Sequence, residues 1–185
     1  VCGKSITVVG IGISNMPLIR FLAENGANVT ACDKKTHEQL GERAQELIKL
    51  GVNLVCGENY LDNLSGNIIF KTPGMRFDHP ALEKARANGS IVTSEMEVFF
   101  EVCPAKIIAV TGSDGKTTTT TLIYNILTES GFKCHLGGNI GHPLLCETDS
   151  IDKDDIVVLE LSSFQLHTMK KSADVAVVTN ISPNH

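Results

Sequence analysis

Residues 110–122 read VTGSDGKTTTTTL, and how this stretch is read decides the fold. The apolar run KIIAV before it (106–110) predicts a strand, and TTTTLIYNILTES after it (118–130), closed by Gly131, predicts a helix. A strand that feeds a glycine-bearing loop and then a helix is the setting of a phosphate-binding loop. The usual pattern is G-x-x-x-x-G-K-[ST]; here Val110 occupies the first glycine's place, and Thr111-Gly112 supply the bend. The working chemistry remains. Backbone N–H groups of Gly112, Ser113, Asp114, Gly115 and Lys116 are expected to cradle phosphate oxygens, Lys116 to reach the β- and γ-phosphates, and the Thr117 hydroxyl to ligate magnesium. Five threonines in a row from Thr117 cost helix propensity unless their hydroxyls are useful. Thr118 is expected at the phosphates, and Thr119 to Thr121 in packing and local bonding to the backbone.

Such a loop needs an acid at the end of a neighbouring strand to hold magnesium or its waters. Glu160, which closes IVVLE (156–160), fits that position, whereas Asp152, Asp154 and Asp155 precede the strand and read as a solvated loop. His37, His79, His135, His142 and His167 show no ligand spacing and read as surface or packing residues. His185 differs, because it follows the strand VAVVT (175–179) on the sheet edge that carries the loop.

Upstream, the same alternation recurs. SITVV (5–9), NVTAC (28–32), NLV (53–55), NIIFK (67–71) and SIVTS (90–94) read as strands. They are separated by helical stretches at 16–25, 38–50 and 79–88. That order predicts an α/β chain of parallel strands with crossover helices. A helix over 95–103 stopped by Pro104 marks a change of unit, so the expected domains are 1–94 and 95–185. Downstream, LGGNIGHP (136–143) reads as a turn and DSIDKDD (149–155) as acidic surface. The chain stops at NISPNH with no closing helix, which leads us to expect part of a longer protein.

The first strand runs into Gly10-x-Gly12-x-x-Asn15, and Asp33 stands at the tip of the second. Small residues there let backbone N–H groups approach a pyrophosphate, while the acid meets polar nucleoside atoms. A dinucleotide-binding module of the NAD type is the alternative. Asn15 speaks against it, since that fingerprint carries a third glycine in its place.

The chain has 185 residues, 42% of them hydrophobic, enough to bury a core. Its net charge is -5 with scattered Lys and Arg, so no basic stripe suggests nucleic acid. No signal-peptide or membrane-spanning pattern is present in the sequence, and a cytoplasmic protein is expected. Six cysteines form no C-x-x-C pair, and most of them read as buried free thiols.

TGSDGKTT, GGNIG, LELSSFQL and VVTNISPNH, in this order and spacing, resemble the Mur ligases, the ATP-dependent amino-acid ligases of peptidoglycan synthesis. ELSSFQL with GIGISN is similar to the D-glutamate-adding branch of that family. The resemblance covers the whole chain. It implies a Rossmann-like UDP-binding domain followed by the first part of a P-loop ATPase domain with a mainly parallel sheet. The implied small molecules are UDP-N-acetylmuramoyl-L-alanine, D-glutamate, ATP and Mg2+, with no nucleic acid or membrane partner and a monomeric full-length protein.

Carried over by resemblance, Gly12, Ser14 and Asn15, Asp33 with Lys34 or Lys35, and Thr72-Pro73-Gly74 bind the UDP part. Asn139, Ser162 and Gln165 line the muramoyl-alanine end; Lys116 and Thr117 hold ATP and magnesium, Glu160 serves one metal and His185 a second. The implied chemistry is phosphorylation of a substrate carboxylate, giving an acyl phosphate that the D-glutamate amine attacks. The family's carbamylated lysine and its C-terminal domain lie outside this sequence, and Asn184 stands where many members have aspartate. The chain alone is therefore expected not to turn over.

Overall fold

The computed structural model describes residues 2–12, 15–141 and 143–183. The chain divides into two compact units, Val1–Glu95 and Met96–His185.

The first unit runs β1 (Ser5–Val9), α1 (Met16–Glu24), β2 (Asn28–Asp33), α2 (His37–Leu40), α3 (Glu42–Lys49), β3 (Asn53–Cys56), β4 (Ile68–Phe70), α4 (Pro80–Ala87) and β5 (Ile91–Thr93). Its strands form one parallel sheet in the order β3-β2-β1-β4-β5. Central β1 is buried at Ile6, Val8 and Val9, as a parallel strand covered on both faces must be. Val9, Cys32, Ile69, Leu82 and Ala85 form one core cluster, and Tyr60, Leu61 and Met75 pack against it. The strand order reverses at β1 and β4, so a crevice opens beyond their carboxyl ends.

The single helix expected over 38–50 is two helices. Thr36 starts α2 with a capping box through Gln39, and Gly41 ends it at φ 58 and ψ -125, a backbone conformation that turns the chain before α3.

The second unit runs α5 (Glu95–Val102), β6 (Lys106–Thr111), α6 (Lys116–Glu129), β7 (Cys134–Gly138), a 3-10 helix (Leu144–Ser150), β8 (Ile156–Glu160), α7 (Ser163–Leu166) and β9 (Val175–Val178). This sheet is also parallel, ordered β7-β8-β6-β9. Chain order again reverses across β6 and β9, which places the end of β6 and the segment after β9 beside one crevice.

Strand β7 falls partly on residues expected to form a turn. CHLGG has one apolar aliphatic side chain and two glycines, so nothing local marks it as a strand; pairing with β8 from Cys134 to Gly138 makes it one. Asp155 also departs from the solvated loop expected for it. It is buried, and its Oδ2 meets His135 Nε2 at 2.7 Å and Lys133 Nζ at 2.9 Å, and accepts from the Asp152 N–H at 3.0 Å. The hydrogen bond to His135, then that to Lys133, holds this carboxyl well below the usual carboxylate range.

Candidate functional sites

In the second unit, Gly115 caps α6 in the left-handed conformation at φ 77, with Lys116 as the first helical residue. A helix leaves its first N–H groups without intrahelical acceptors. Thr119 N–H bonds back to Gly115 O at 3.0 Å, so the N–H groups of Gly115 to Thr118 are the ones that α6 presents at its electropositive end. Lys116 Nζ folds over the loop and donates to Gly112 O at 2.8 Å and Ser113 O at 2.9 Å. The ammonium is thereby held at the loop's mouth. Thr120 is fully buried and donates its hydroxyl to Lys116 O at 2.8 Å, the back-bonding expected of an inner threonine.

Glu160 ends β8 opposite Val110 of β6. It is 3% exposed, and burying a carboxylate requires donors around it. Two are present: Thr117 Oγ1–H donates to Oε2 at 2.6 Å, and Asn139 Nδ2–H to Oε1 at 3.2 Å. Asn139 N–H also donates to the Glu160 carbonyl at 2.8 Å. This approach needs Gly138, because a Cβ there would lie 2.1 Å from Glu160 O.

The donor set fits magnesium. Thr117 and Glu160 are hard oxygen donors beside a phosphate-type loop, and Mg2+ takes one or two protein oxygens with the rest from phosphates and water. Among the described residues no cluster of three or more His, Cys, Asp or Glu could hold a metal by itself.

A cavity of about 520 Å³ opens here, lined by Thr111, Gly112, Ser113, Lys116, Asn139 and Ser162 of the expected residues. Ser163, Phe164, Val178, Asn180, Ile181, Ser182 and Pro183 complete it. Asp114, Gly115, Thr117 and Thr118, on the loop and helix start, and Glu160 are not in this lining. Gln165 is buried and is not part of the lining; its Oε1 accepts from Ser162 N–H and Oγ–H, both at 2.9 Å, and so orients Ser162.

One expectation for the loop needs correction. The N–H groups of Ser113 and Asp114 do not face a ligand: they donate to Asn180 O at 3.1 Å and Asn180 Oδ1 at 3.0 Å.

In the first unit, the Asp33 carboxylate reaches across to the β1 turn, where Ile11 N–H donates to Oδ2 at 2.6 Å and Lys35 N–H to Oδ1 at 2.8 Å. Asn15 is buried, and its Nδ2 donates to Val9 O at 3.1 Å and Gly10 O at 2.9 Å. It ties the turn together from inside. A cavity of about 320 Å³ beside the turn is lined by Val9, Gly10, Asp33, Lys34, Thr72 and Gly74, with Tyr60, Leu61, Met75 and His79. Gly12, Asn15, Lys35 and Pro73 are not in its lining. Tyr60 and His79 carried no signal in the sequence, since a lone aromatic and a lone histidine acquire meaning only by position; His79 also caps α4 by accepting from Ala81 N–H.

Burial pushes the Cys32 thiol up to about 11, and burial, then the charge of Asp33, raises that of Cys56, so both thiols stay protonated at neutral pH. Ser14 and His185 lie outside the described residues.

Comparison with known proteins adds an independent line. Residues 4–94 match the model of the Mur ligase MurD-like N-terminal domain, and residues 110–185 that of the Mur ligase middle domain. The chain is 61% identical over 183 residues to the UDP-N-acetylmuramoylalanine–D-glutamate ligase of Clostridium novyi, covering 98% of this chain and 40% of that protein. It is 60% identical to the enzyme of the same name from Acetivibrio thermocellus, covering 39% of its length. The chain thus spans about 40% of the length of these curated relatives.

Among solved structures, the UDP-N-acetylmuramate–alanine ligase of Thermotoga maritima superposes with a TM-score of 0.55 at 25% identity, over 98% of this chain and 42% of that one. The UDP-N-acetylmuramate:L-alanyl-gamma-D-glutamyl-meso-diaminopimelate ligase of Neisseria meningitides gives 0.56 at 20% identity, over 100% of this chain and 62% of that one, a likeness of fold. No helix among the described residues is long and apolar enough to cross a membrane.

Proposed function

The chain belongs to the Mur ligase family, and from that premise we propose that it carries the UDP-substrate-binding domain and the phosphate-loop part of a cytoplasmic ligase joining D-glutamate to UDP-N-acetylmuramoyl-L-alanine. The observation that carries this reading is the meeting of Lys116, Asn139 and Ser162 on one crevice, with Glu160 joined by hydrogen bonds to Asn139 and Thr117, while a separate turn-and-acid cavity lies in the other unit.

In this reading the first cavity takes the uridine diphosphate. Asp33 and Lys34 stand at its polar end, and Tyr60 and Met75 offer apolar surface for a base. In the second unit the α6 N-terminus and Lys116 hold ATP phosphates, and Lys116 moves from its carbonyl partners to the β- and γ-oxygens. Bound magnesium, held by Thr117 and Glu160, would supply charge neutralisation on the phosphoryl oxygens. Thr117 keeps its proton on Glu160 and so offers its oxygen lone pairs outward. Asn139 and Ser162 orient the carboxylate whose oxygen takes the γ-phosphoryl group as ADP leaves, and the D-glutamate amine then attacks the acyl carbon, losing a proton and expelling inorganic phosphate.

Calorimetric titration of the chain with UDP-N-acetylmuramoyl-L-alanine, NAD and Mg-ATP tests this. Binding of the UDP compound and of Mg-ATP, without NAD, is expected; tight NAD binding with no response to the UDP compound would overturn the assignment of the first cavity. Because the chain spans 40% of its relatives' length, no turnover is expected from it alone, and product formation from the three substrates would refute that.

A further inference from the structure

The segment that follows β9 runs along the phosphate loop and is bonded to it through Thr179, Asn180 and Ser182. The β6–β9 ladder pairs Thr111 with Val178, and main-chain bonds carry it two steps further: Thr179 N–H to Thr111 O at 3.0 Å and Ser113 N–H to Asn180 O at 3.1 Å. Side chains then take over. Thr179 Oγ1–H donates to Asp114 O at 2.6 Å, and Asn180 binds both backbone groups of Asp114, accepting from its N–H through Oδ1 at 3.0 Å and donating to its carbonyl through Nδ2 at 3.3 Å. Ser113 Oγ–H donates to Ser182 O at 3.0 Å and accepts from Ser182 N–H at 2.8 Å.

A carboxamide that satisfies the donor and acceptor of one residue does what the next peptide of a strand would do. Gly112 permits the approach, since a Cβ there would sit 2.1 Å from Thr179 Oγ1.

We propose that Asn180 is a positioning residue for the phosphate loop. The proposal rests on the nucleotide reading of that loop. Its side-chain amide takes the Asp114 N–H and its main-chain carbonyl takes the Ser113 N–H, which leaves the N–H groups from Gly115 onward for an anion. Val110 stands where such a motif normally has its first glycine, and Thr179, Asn180 and Ser182 brace the loop from outside it. Aspartate cannot replace Asn180: it loses the Nδ2 donor and brings negative charge toward a phosphate site. Threonine at 179 and serine at 113 add hydroxyl bonds, and asparagine alone grips both sides of Asp114.

The test uses this chain with inorganic tripolyphosphate and Mg-ATP as probes, and site-resolved amide exchange as a second readout. In the parent, Ser113 and Asp114 amides are expected to exchange slowly. Asn180→Ala should speed Asp114 exchange at least roughly tenfold and weaken tripolyphosphate about tenfold, the loss of a bond or two, with β8 protection (Ile156–Glu160) unchanged. Asn180→Asp should weaken tripolyphosphate further, and it serves if the alanine variant fails to fold. Asn180→Ala with parental tripolyphosphate affinity, or Asp114 exchange equal in parent and variant, would overturn the proposal. If the parent binds neither probe while the variant frees the Asp114 amide, the bracing role stands and the nucleotide reading fails.

Discussion

Replacing Gly138 with alanine should move the buried acid of the second unit. Gly138 has φ 93, and a Cβ there would lie 2.1 Å from Glu160 O and 3.0 Å from the Glu160 carbonyl carbon. Real Cβ contacts start near 3.0 Å, so the backbone of β7's end must retreat by close to 1 Å from β8. The left-handed conformation alone costs an alanine about 1–2 kcal/mol. Forced separation of two paired strands, with loss of the Asn139 N–H bond to Glu160 O, adds roughly 2 kcal/mol.

Gly131 supplies the control, because at φ 90 it has nothing within 4 Å of its Cβ direction. Gly131→Ala should therefore show the conformational cost by itself, about 1–2 kcal/mol, and Gly138→Ala about 3–4 kcal/mol. Hydrogen exchange in urea, followed on β8 with β2 of the other unit as internal reference, reads both. Mg-ATP affinity should fall about tenfold in Gly138→Ala, as expected when one charge-bearing contact is displaced, and stay parental in Gly131→Ala. Equal stability of the two variants, or a parental magnesium response in Gly138→Ala, would refute the reasoning.

Three further outcomes follow from the hydrogen-bond pattern. Thr117→Val leaves Glu160 buried with Asn139 as its side-chain donor among the described residues and should cost about 1–3 kcal/mol; it should also abolish the magnesium dependence of ATP binding in calorimetry, whereas Thr117→Ser keeps it. Asn15→Ala strips the side-chain donor from Val9 O and Gly10 O, which should destabilise the first unit in urea by about 1–3 kcal/mol and weaken UDP binding while tripolyphosphate binding persists. Asp155 is held below its unfolded value by His135, then Lys133. Its stabilisation is therefore present above the unfolded aspartate value of about 3.9 and fades as pH falls from there toward the folded value. Urea unfolding across pH 2–6 should show a shallower acid loss in Asp155→Asn than in the parent, and identical slopes would remove Asp155 as the cause.

The sequence by itself determined the alternation of strands and helices, the parallel sheets, and the placing of Lys116 and Thr117 at a helix start with Glu160 at the end of a neighbouring strand. These are legible because local chemistry sets them: β-branched runs, glycines at helix ends, and a lysine and threonine at a helix start, each acting within a few residues of itself.

What only the tertiary structure decided depends on groups brought together from far along the chain. Strand β7 exists because β8 pairs with it. Asp155 is buried because Lys133 and His135 arrive beside it from an adjacent strand and the turn before it. Asn15 reads as a failed glycine until Val9 O and Gly10 O are seen to need its amide. Asn180 lies 66 residues from the Asp114 it grips. A polar side chain's role is set by the donor or acceptor that faces it, and across such separations that partner is specified only when the sheet has formed.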